Sequence, residues 1–259
     1  MTDVDVIVLD VDGGAMLRTC IDSIKRQSVT PHRIIVFDNG SRAPVKLHDA
    51  EVLRSEENRG FAGGVNAAFA HVDAPFVALV NNDVVLDDDW LATVLEAMHD
   101  ETLAAVQTML RRNATTLDGA GIDISDGTYR QTLDPNRAWG VSATAALYRV
   151  AALGDHVFNE RFFAYYEDVE LAARLHEAGW RTHVIPAVKA THRGSQTAPL
   201  LGRDALRLRT RNRYWVARLH RGVGSIRALL WEDVKLLPRG RSSLRGIMEG
   251  LFGRMKAEG

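Results

Sequence analysis

Pro75-Phe76-Val77-Ala78-Leu79-Val80-Asn81-Asn82-Asp83 is an unbroken apolar run that stops at a polar turn carrying one carboxylate. Apolar residues without alternation read as a strand buried on both faces, as in the middle of a parallel sheet. The turn at its end lies at the carboxyl edge of the strands, where α/β proteins place ligands. Asn and Asp are also ordinary turn formers, so on this stretch alone a plain strand end and a ligand site both stand. Asp87-Asp88-Asp89 follow, ahead of Trp90, Leu91, Val94, Leu95 and Met98 at helical spacing. They read as a solvated helix start.

Upstream, Val6-Ile7-Val8-Leu9 is a first short strand that ends in Asp10-Val11-Asp12-Gly13-Gly14. Leu17, Cys20, Ile21 and Ile24 recur at helical spacing to near Gln27. Ile34-Ile35-Val36-Phe37 is a second strand, stopping at Asp38-Asn39-Gly40-Ser41. Strand, helix, strand makes a βαβ unit with a right-handed crossover. Two successive strands thus end in Asp-bearing turns on one edge of a sheet, which strengthens the site reading. A short strand near Val52-Leu53 leads into Asn58-Arg59-Gly60-Phe61-Ala62-Gly63-Gly64 and a further helix. The glycines let backbone approach a ligand and the helix offers its first amides to an anion, although a merely flexible loop fits as well. The spacing is neither a Walker loop nor a dinucleotide fingerprint. The order β-α-β-β-α-β-α is a nucleotide-binding half-sheet.

Downstream the pattern loosens. Ala104-Ala105-Val106 suggests a strand, residues 111–137 read as loops of the kind that carry function in compact domains, and residues 142–148 read as a tightly packed strand. Phe162-Phe163-Ala164-Tyr165-Tyr166-Glu167-Asp168 sets four rings in front of two acids at the start of a helix that ends near Gly179. The acids suit a helix N-terminus. The rings beside them also suit a sugar surface. Residues 180–186 read as a strand, and His192 falls in a Gly-containing loop from which it could share a metal with Asp83. That mixed O/N pair suits Mn2+ or Mg2+.

The chain has 259 residues, 46% hydrophobic and 25% charged, enough for one sizeable α/β core. Cys20 is its only cysteine, which leaves no intrachain disulfide or cysteine metal cluster. Asp3 and Asp5 stand where a secretory signal would be basic, and no apolar run reaches the roughly 18 residues of a membrane span. A cytoplasmic protein, soluble or peripheral at the membrane's inner face, is expected. The net charge of −1 hides an asymmetry: residues 200–259 hold 14 Lys and Arg against 5 Asp and Glu. The expected organisation is a body over 1–199 and a basic helical extension over 200–259, broken at Gly222 and at Pro238-Arg239-Gly240. Its last helix sets Leu244, Ile247, Met248, Leu251, Phe252 and Met255 on one face, with Arg245, Arg254 and Lys256 among its polar neighbours. Packing against the body or a partner and lying on anionic lipid are both open readings. No nucleic-acid partner is expected, because no recognition module is visible and the body is acidic.

Six segments in order, VIVLDVDGG, VFDNGS, NRGFAGGVNAA, LVNNDVVLDDDW, FFAYYEDVELAARLHEAGW and THRGS, resemble glycosyltransferase family 2, the inverting enzymes of GT-A fold. The likeness covers about residues 4–198, reaches weakly into Arg211-Asn212-Arg213, and is nearest the rhamnosyltransferase-like branch. It implies a Rossmann-like nucleotide-binding half with a mixed central sheet. It further implies that Leu9, Asp10 and Val11 cradle a nucleotide base, that Asp38 binds the base edge or ribose, and that Arg59, Gly60 and Gly64 approach the base and diphosphate. Asn81-Asn82-Asp83 stands in place of the family's DXD element, with Asn82 shaping the turn and Asp83 holding Mn2+ or Mg2+ on the diphosphate. His192 would be a second metal ligand and Asp168 the general base.

The implied reaction is metal-dependent inverting transfer from a nucleoside-diphosphate sugar, dTDP-rhamnose or a UDP-sugar, to a glycan or lipid-linked glycan hydroxyl. A non-catalytic sugar-nucleotide or glycan-binding module on the same fold is the alternative. A nucleotidyltransferase would want a basic Gly-rich loop after the first strand, where this chain has Asp10 and Asp12.

Overall fold

The computed structural model describes residues 3–124, 127–194, 203–220 and 222–253. The first half follows the expected order except for one added short strand, Val84–Leu86, ahead of the third helix. It runs β1 (Val4–Asp10), α1 (Gly14–Lys25), β2 (Arg33–Asn39), β3 (Glu51–Ser55), α2 (Gly60–Phe69), β4 (Phe76–Val80), β5 (Val84–Leu86) and α3 (Trp90–Ala97). Next come β6 (Leu103–Arg111), the short β7 (Leu117–Gly119), β8 (Ile122–Asp123), β9 (Arg130–Gln131), β10 (Ala145–Arg149) and the one-turn α4 (Val150–Leu153). The rest is α5 (Glu167–Glu177), β11 (Arg181–His192), α6 (Arg203–Leu219), α7 (Ile226–Leu236) and α8 (Leu244–Phe252).

Nine strands form one mixed sheet in the order β3-β2-β1-β4-β10-β6-β11-β5, with β7 added to the end of β6. The first four in that order are parallel, β10 is antiparallel to both β4 and β6, and β5 closes the edge antiparallel to β11. Alternate side chains of the central strands feed two cores. Val6, Val8, Ala78 and Val80 pack with Leu17, Ile21, Trp90 and Leu91 on one face. Ile7, Ile35, Val77 and Leu79 pack with Val65, Ala68 and Leu171 on the other. Period-2 burial on both faces is why these strands read as continuous apolar runs.

Three features depart from the sequence reading. Residues 111–137 contain β7, β8 and β9 rather than loops alone. The strand expected over 180–186 continues to His192, so His192 ends a strand instead of sitting in a loop. The register of β11 on β6 slips between Ile185 and Val188, and Pro186 falls inside that irregularity, where a missing N–H is tolerated. Asp87 and Asp89 are not simply solvated: they pair with Arg111 and Lys189 and tie the start of α3 to β6 and β11.

The C-terminal helices share a third core with the body, in which Tyr214, Trp215, Val216, Leu229 and Ile247 meet Phe162, Val169 and Ala173. The expected single apolar face of α8 is split. Gly246 and Gly250 lie so close to α6 that an added Cβ would come within 2.6 Å of the Arg207 carbonyl oxygen and 2.8 Å of the Tyr214 Cβ. This contact turns Ile247 inward and leaves Leu244, Met248 and Phe252 at 65%, 52% and 72% exposure. Ser195, Arg254, Met255 and Lys256 lie outside the described residues.

Candidate active site

The parallel strands β1, β2 and β4 end at the same edge as β6 and β11, and β10 begins there; Asn81 N–H donates to Thr144 O at 2.9 Å across that edge. A cavity of about 640 Å3 opens at this edge. Leu9, Asp10 and Val11, Gly60, Asn82 and Asp83, Asp168 and His192 all line it, so eight of the residues singled out from sequence converge. Arg112, Asp118, Tyr129, Arg130, Gln131 and Arg209 line it too, none of which the sequence reading named.

Asp83 is 4% exposed, and its Oδ1 has no hydrogen-bond partner. Its Oδ2 lies 3.3 Å from His192 Nε2, while His192 Nδ1 lies 2.6 Å from Asp118 Oδ2. Burial works against a charged imidazole, but the hydrogen bonds and charges of Asp83 and Asp118 outweigh it and raise the His192 pKa. A buried carboxylate oxygen with nothing to bond, beside an imidazole nitrogen, is the donor set a small divalent cation would use. Among the described residues a second cluster of possible ligands, Asp5, His32 and Asp73, sits near the opposite end of β1. There the Arg33 guanidinium already binds Asp5 and Asp73, supplying the positive charge itself.

Asp10 lies across the turn from Asp83. Its Oδ1 accepts from Asn82 Nδ2 at 2.6 Å and its Oδ2 from Gly13 N–H at 3.1 Å. Burial pushes its carboxyl above the ordinary range against those donors, helped by the nearby charges of Asp38 and Asp12. Asn82 therefore fixes the turn, and Cys20 Sγ reaches Asn81 O at 3.4 Å beneath it.

Asp38, Arg59 and Gly64 do not line the cavity. Asp38 is fully buried and accepts from Ser41 N–H and Val45 N–H at 3.0 Å each, and from Arg54. Arg54 stands opposite it in register on β3. Burial opposes ionisation, but these donors hold the carboxyl below its ordinary range. The exposed Arg59 serves through its backbone, whose N–H donates to Asn39 Oδ1 at 2.9 Å. Gly64 serves packing, since a Cβ there would meet Leu9 Cδ1 at 2.5 Å. Gly60 does face the cavity, and a Cβ would meet the Phe163 carbonyl oxygen at 2.5 Å, so the glycine loop and the aromatic loop touch.

The four rings before the acidic pair divide. Phe162 is a core residue packed edge-on against Trp215, whereas Phe163, Tyr165 and Tyr166 line the cavity. Those three have φ of 63°, 72° and 69°, a conformation that costs side-chain-bearing residues on the order of 1–3 kcal/mol each. Asn212 Nδ2 holds them there by donating to the carbonyl oxygens of Phe162, Ala164 and Tyr165. The guanidinium of Arg209, one helical turn earlier, lies over the Tyr165 ring at 4.3 Å. The strained loop delivers Glu167 and Asp168 to the first turn of α5. Burial raises both carboxyls above the ordinary range, and the Asp168 charge adds to the shift at Glu167. Backbone N–H groups, including Val169 at 2.9 Å from Asp168 Oδ1, favour ionisation of Asp168. Glu167 Oε2 has no partner. Of the two, Asp168 is the one fitted to carry the charge.

The family model for Glycosyl transferase family 2 matches residues 6–157. A pre-mycofactocin glycosyltransferase of Mycobacterium tuberculosis is 27% identical over 207 residues, covering 73% of this chain. This chain spans only 42% of that relative's length. The N-acetylglucosaminyl-diphospho-decaprenol L-rhamnosyltransferase of the same organism is 27% identical over 248 residues, covering 79% of this chain and 80% of that one. Among solved structures, the mannosyltransferase from Pyrobaculum calidifontis in complex with GDP-Man and Mn2+ superposes with a TM-score of 0.62 at 16% identity. That match covers 97% of this chain and 88% of the other, and it shows a shared GT-A fold.

Proposed function

The chain belongs to glycosyl transferase family 2, and from that premise we propose that it transfers a sugar from a nucleoside-diphosphate donor to a hydroxyl of a glycan or lipid-linked glycan, with inversion and with a divalent metal. The observation that carries this reading is one cavity holding a buried carboxylate with one unpartnered oxygen beside an imidazole, Asp83 and His192, together with a buried acid pair, Glu167 and Asp168. The rhamnosyltransferase relative favours dTDP-rhamnose among the donors considered, and a UDP-sugar is the other.

Asp83 and His192 would hold Mn2+ or Mg2+, whose charge would neutralise the departing diphosphate. Leu9 and Val11 offer the apolar wall for the nucleoside end, and Asp10 keeps the Asn82 turn in place below it. Asp168 takes the proton of the acceptor hydroxyl as its oxygen attacks the anomeric carbon. A buried carboxylate with a raised pKa is a better base than an exposed one. Glu167, more strongly disfavoured as an anion, holds its proton and spares Asp168 a like charge beside it. Phe163, Tyr165 and Tyr166 supply ring faces against which the sugars lie. A single in-line displacement inverts the configuration.

The test is hydrolysis or transfer of dTDP-rhamnose and UDP-sugars with and without Mn2+. Turnover that needs the metal supports the reading, whereas donor binding without any turnover favours the non-catalytic module.

The helical extension favours a membrane surface. Trp231 and Val234 on α7 are 65% and 62% exposed, and Leu244, Met248 and Phe252 on α8 are equally bare. Lys235, Arg239, Arg241 and Arg245 are exposed on the same two helices and the link between them. Apolar and cationic side chains together suit peripheral attachment to anionic lipid at the inner face of the membrane. No helix among the described residues is long and apolar enough to cross one.

A further inference from the structure

We propose that Asp118 is a positioning residue that fixes the tautomer and aim of His192 for metal binding, an inference that rests on the metal-dependent reading above. The two residues are 74 positions apart in sequence and meet because both flank the end of β6. Thr191, next to His192, pairs with Arg111, and Leu117 and Gly119 on either side of Asp118 pair with Arg111 and Leu110. The Asp118 side chain is 4% exposed and that of His192 15%, so the contact is shielded from water. The Asp118 oxygens have separate tasks. Oδ1 accepts from Arg112 Nε and Nη2 at 3.0 and 2.6 Å, and Oδ2 faces His192 Nδ1 at 2.6 Å.

Asp118 and Asp83 are both acceptors, so each draws a ring proton of His192. A cation at Asp83 would displace the one on Nε2, and Asp118 would retain the one on Nδ1, freeing the Nε2 lone pair, 3.3 Å from Asp83 Oδ2, for the metal. A metal ligand needs that free lone pair. A buried acceptor behind the ring secures it and stops the imidazole from rotating, and loss of such a partner typically weakens metal binding about 10- to 100-fold. Arg112 binds only the other oxygen, Oδ1, so the contact of Oδ2 with the ring does not depend on it.

The experiment is titration of the full chain with Mn2+, followed by the paramagnetic resonance of free Mn2+, for wild type, Asp118→Ala and Arg112→Met, with thermal melts of each. The expected result is an Asp118→Ala dissociation constant raised about 10- to 100-fold, with a much smaller change for Arg112→Met, which keeps the His192 contact. Equal Mn2+ affinity in wild type and a folded Asp118→Ala overturns the role of Asp118 and leaves the metal reading intact. A wild type that binds no Mn2+ overturns both. If Asp118→Ala does not fold, nitrogen-15 imidazole spectra of the wild type saturated with Mg2+ decide instead. A His192 ring protonated on Nδ1 alone supports the proposal, and a proton on Nε2 overturns it.

Discussion

Asn212, completely buried on α6, donates its side-chain amide to the backbone carbonyl of Tyr165 at 2.7 Å, three residues before Asp168. The same amide reaches the Phe162 and Ala164 carbonyls at 2.9 Å each, and the Arg211 guanidinium also donates to Phe162 O, at 3.3 Å. The C-terminal helices therefore shape the loop that delivers Glu167 and Asp168. Asn212→Ala leaves carbonyls of a strained segment without donors, at a cost of about 1–3 kcal/mol for a buried unpaired group. The expected outcome is a lower melting temperature and a fall in kcat, with nucleoside-diphosphate affinity near wild type, measured by calorimetry and steady-state kinetics. A large loss of nucleotide affinity would place Asn212's influence elsewhere.

Asp168→Asn should reduce transfer by roughly 10²- to 10⁴-fold, the range that general-base catalysis contributes, while donor binding by titration calorimetry is retained. The pH profile follows from the same group. Burial raises its pKa, and only the ionised form accepts a proton. Turnover should rise with pH, and the acid limb should lie above the ordinary aspartate range near 3.9. An acid limb at that ordinary value would mean that solvent reaches the carboxylate.

Glu167 gives a stability prediction. Its folded-state pKa is raised, chiefly by burial and then by the Asp168 charge. The native state thus holds its proton more tightly than the unfolded chain does, and the stability this contributes is complete below the unfolded pKa. It is lost as pH rises from about 4.3 through the raised folded value. Glu167→Gln removes that dependence. Its melting temperature should equal or exceed wild type at neutral pH and vary less between pH 4 and 8, each kcal/mol gained being worth roughly 2–4 °C at this chain length.

Much of this was legible in the sequence, for physical reasons that differ along the chain. The strands β1, β2 and β4 are buried on both faces, so each is an apolar run whose end marks the ligand edge. That pattern sufficed to bring Asp10, Asn82 and Asp83 together. Asp118 was not legible, because β7 is three residues long and its partner lies across the sheet on β11. Only the irregularity of residues 111–137 signalled a functional stretch. The family resemblance implies a base or ribose contact for Asp38, yet its cross-strand neighbour Arg54 satisfies it within the sheet. The split face of α8 escaped because glycine counts as neutral in a helical pattern, whereas Gly246 and Gly250 here set which side packs.

Asp83 and the more conspicuous aspartate triplet can be separated directly. Asp83 is nearly buried with a free oxygen, while the side chain of Asp88 is 68% exposed and its nearest cation is Arg26 at 3.5 Å. Asp83→Ala should abolish the gain in UDP or dTDP affinity that Mn2+ confers and leave metal-free affinity unchanged. Asp88→Ala should change neither. An Mn2+ effect that survives in Asp83→Ala would move the cation away from this turn.

The exposed face of the extension makes the last distinction. Leu244, Met248 and Phe252 contribute little to the fold, because Ile247, Gly246 and Gly250 carry the contact with α6. Replacing all three by Ser should leave the melting temperature within about 3–6 °C of wild type, since surface substitutions usually stay within about 0.5 kcal/mol each. On vesicles rich in anionic lipid the same variant should sediment far less than wild type. Wild-type binding should weaken with salt, because Lys235, Arg239, Arg241 and Arg245 act through a screened charge attraction. Undiminished sedimentation of the triple variant would leave the lipid reading of this face without support, since its apolar side chains are the part of the surface that enters the bilayer.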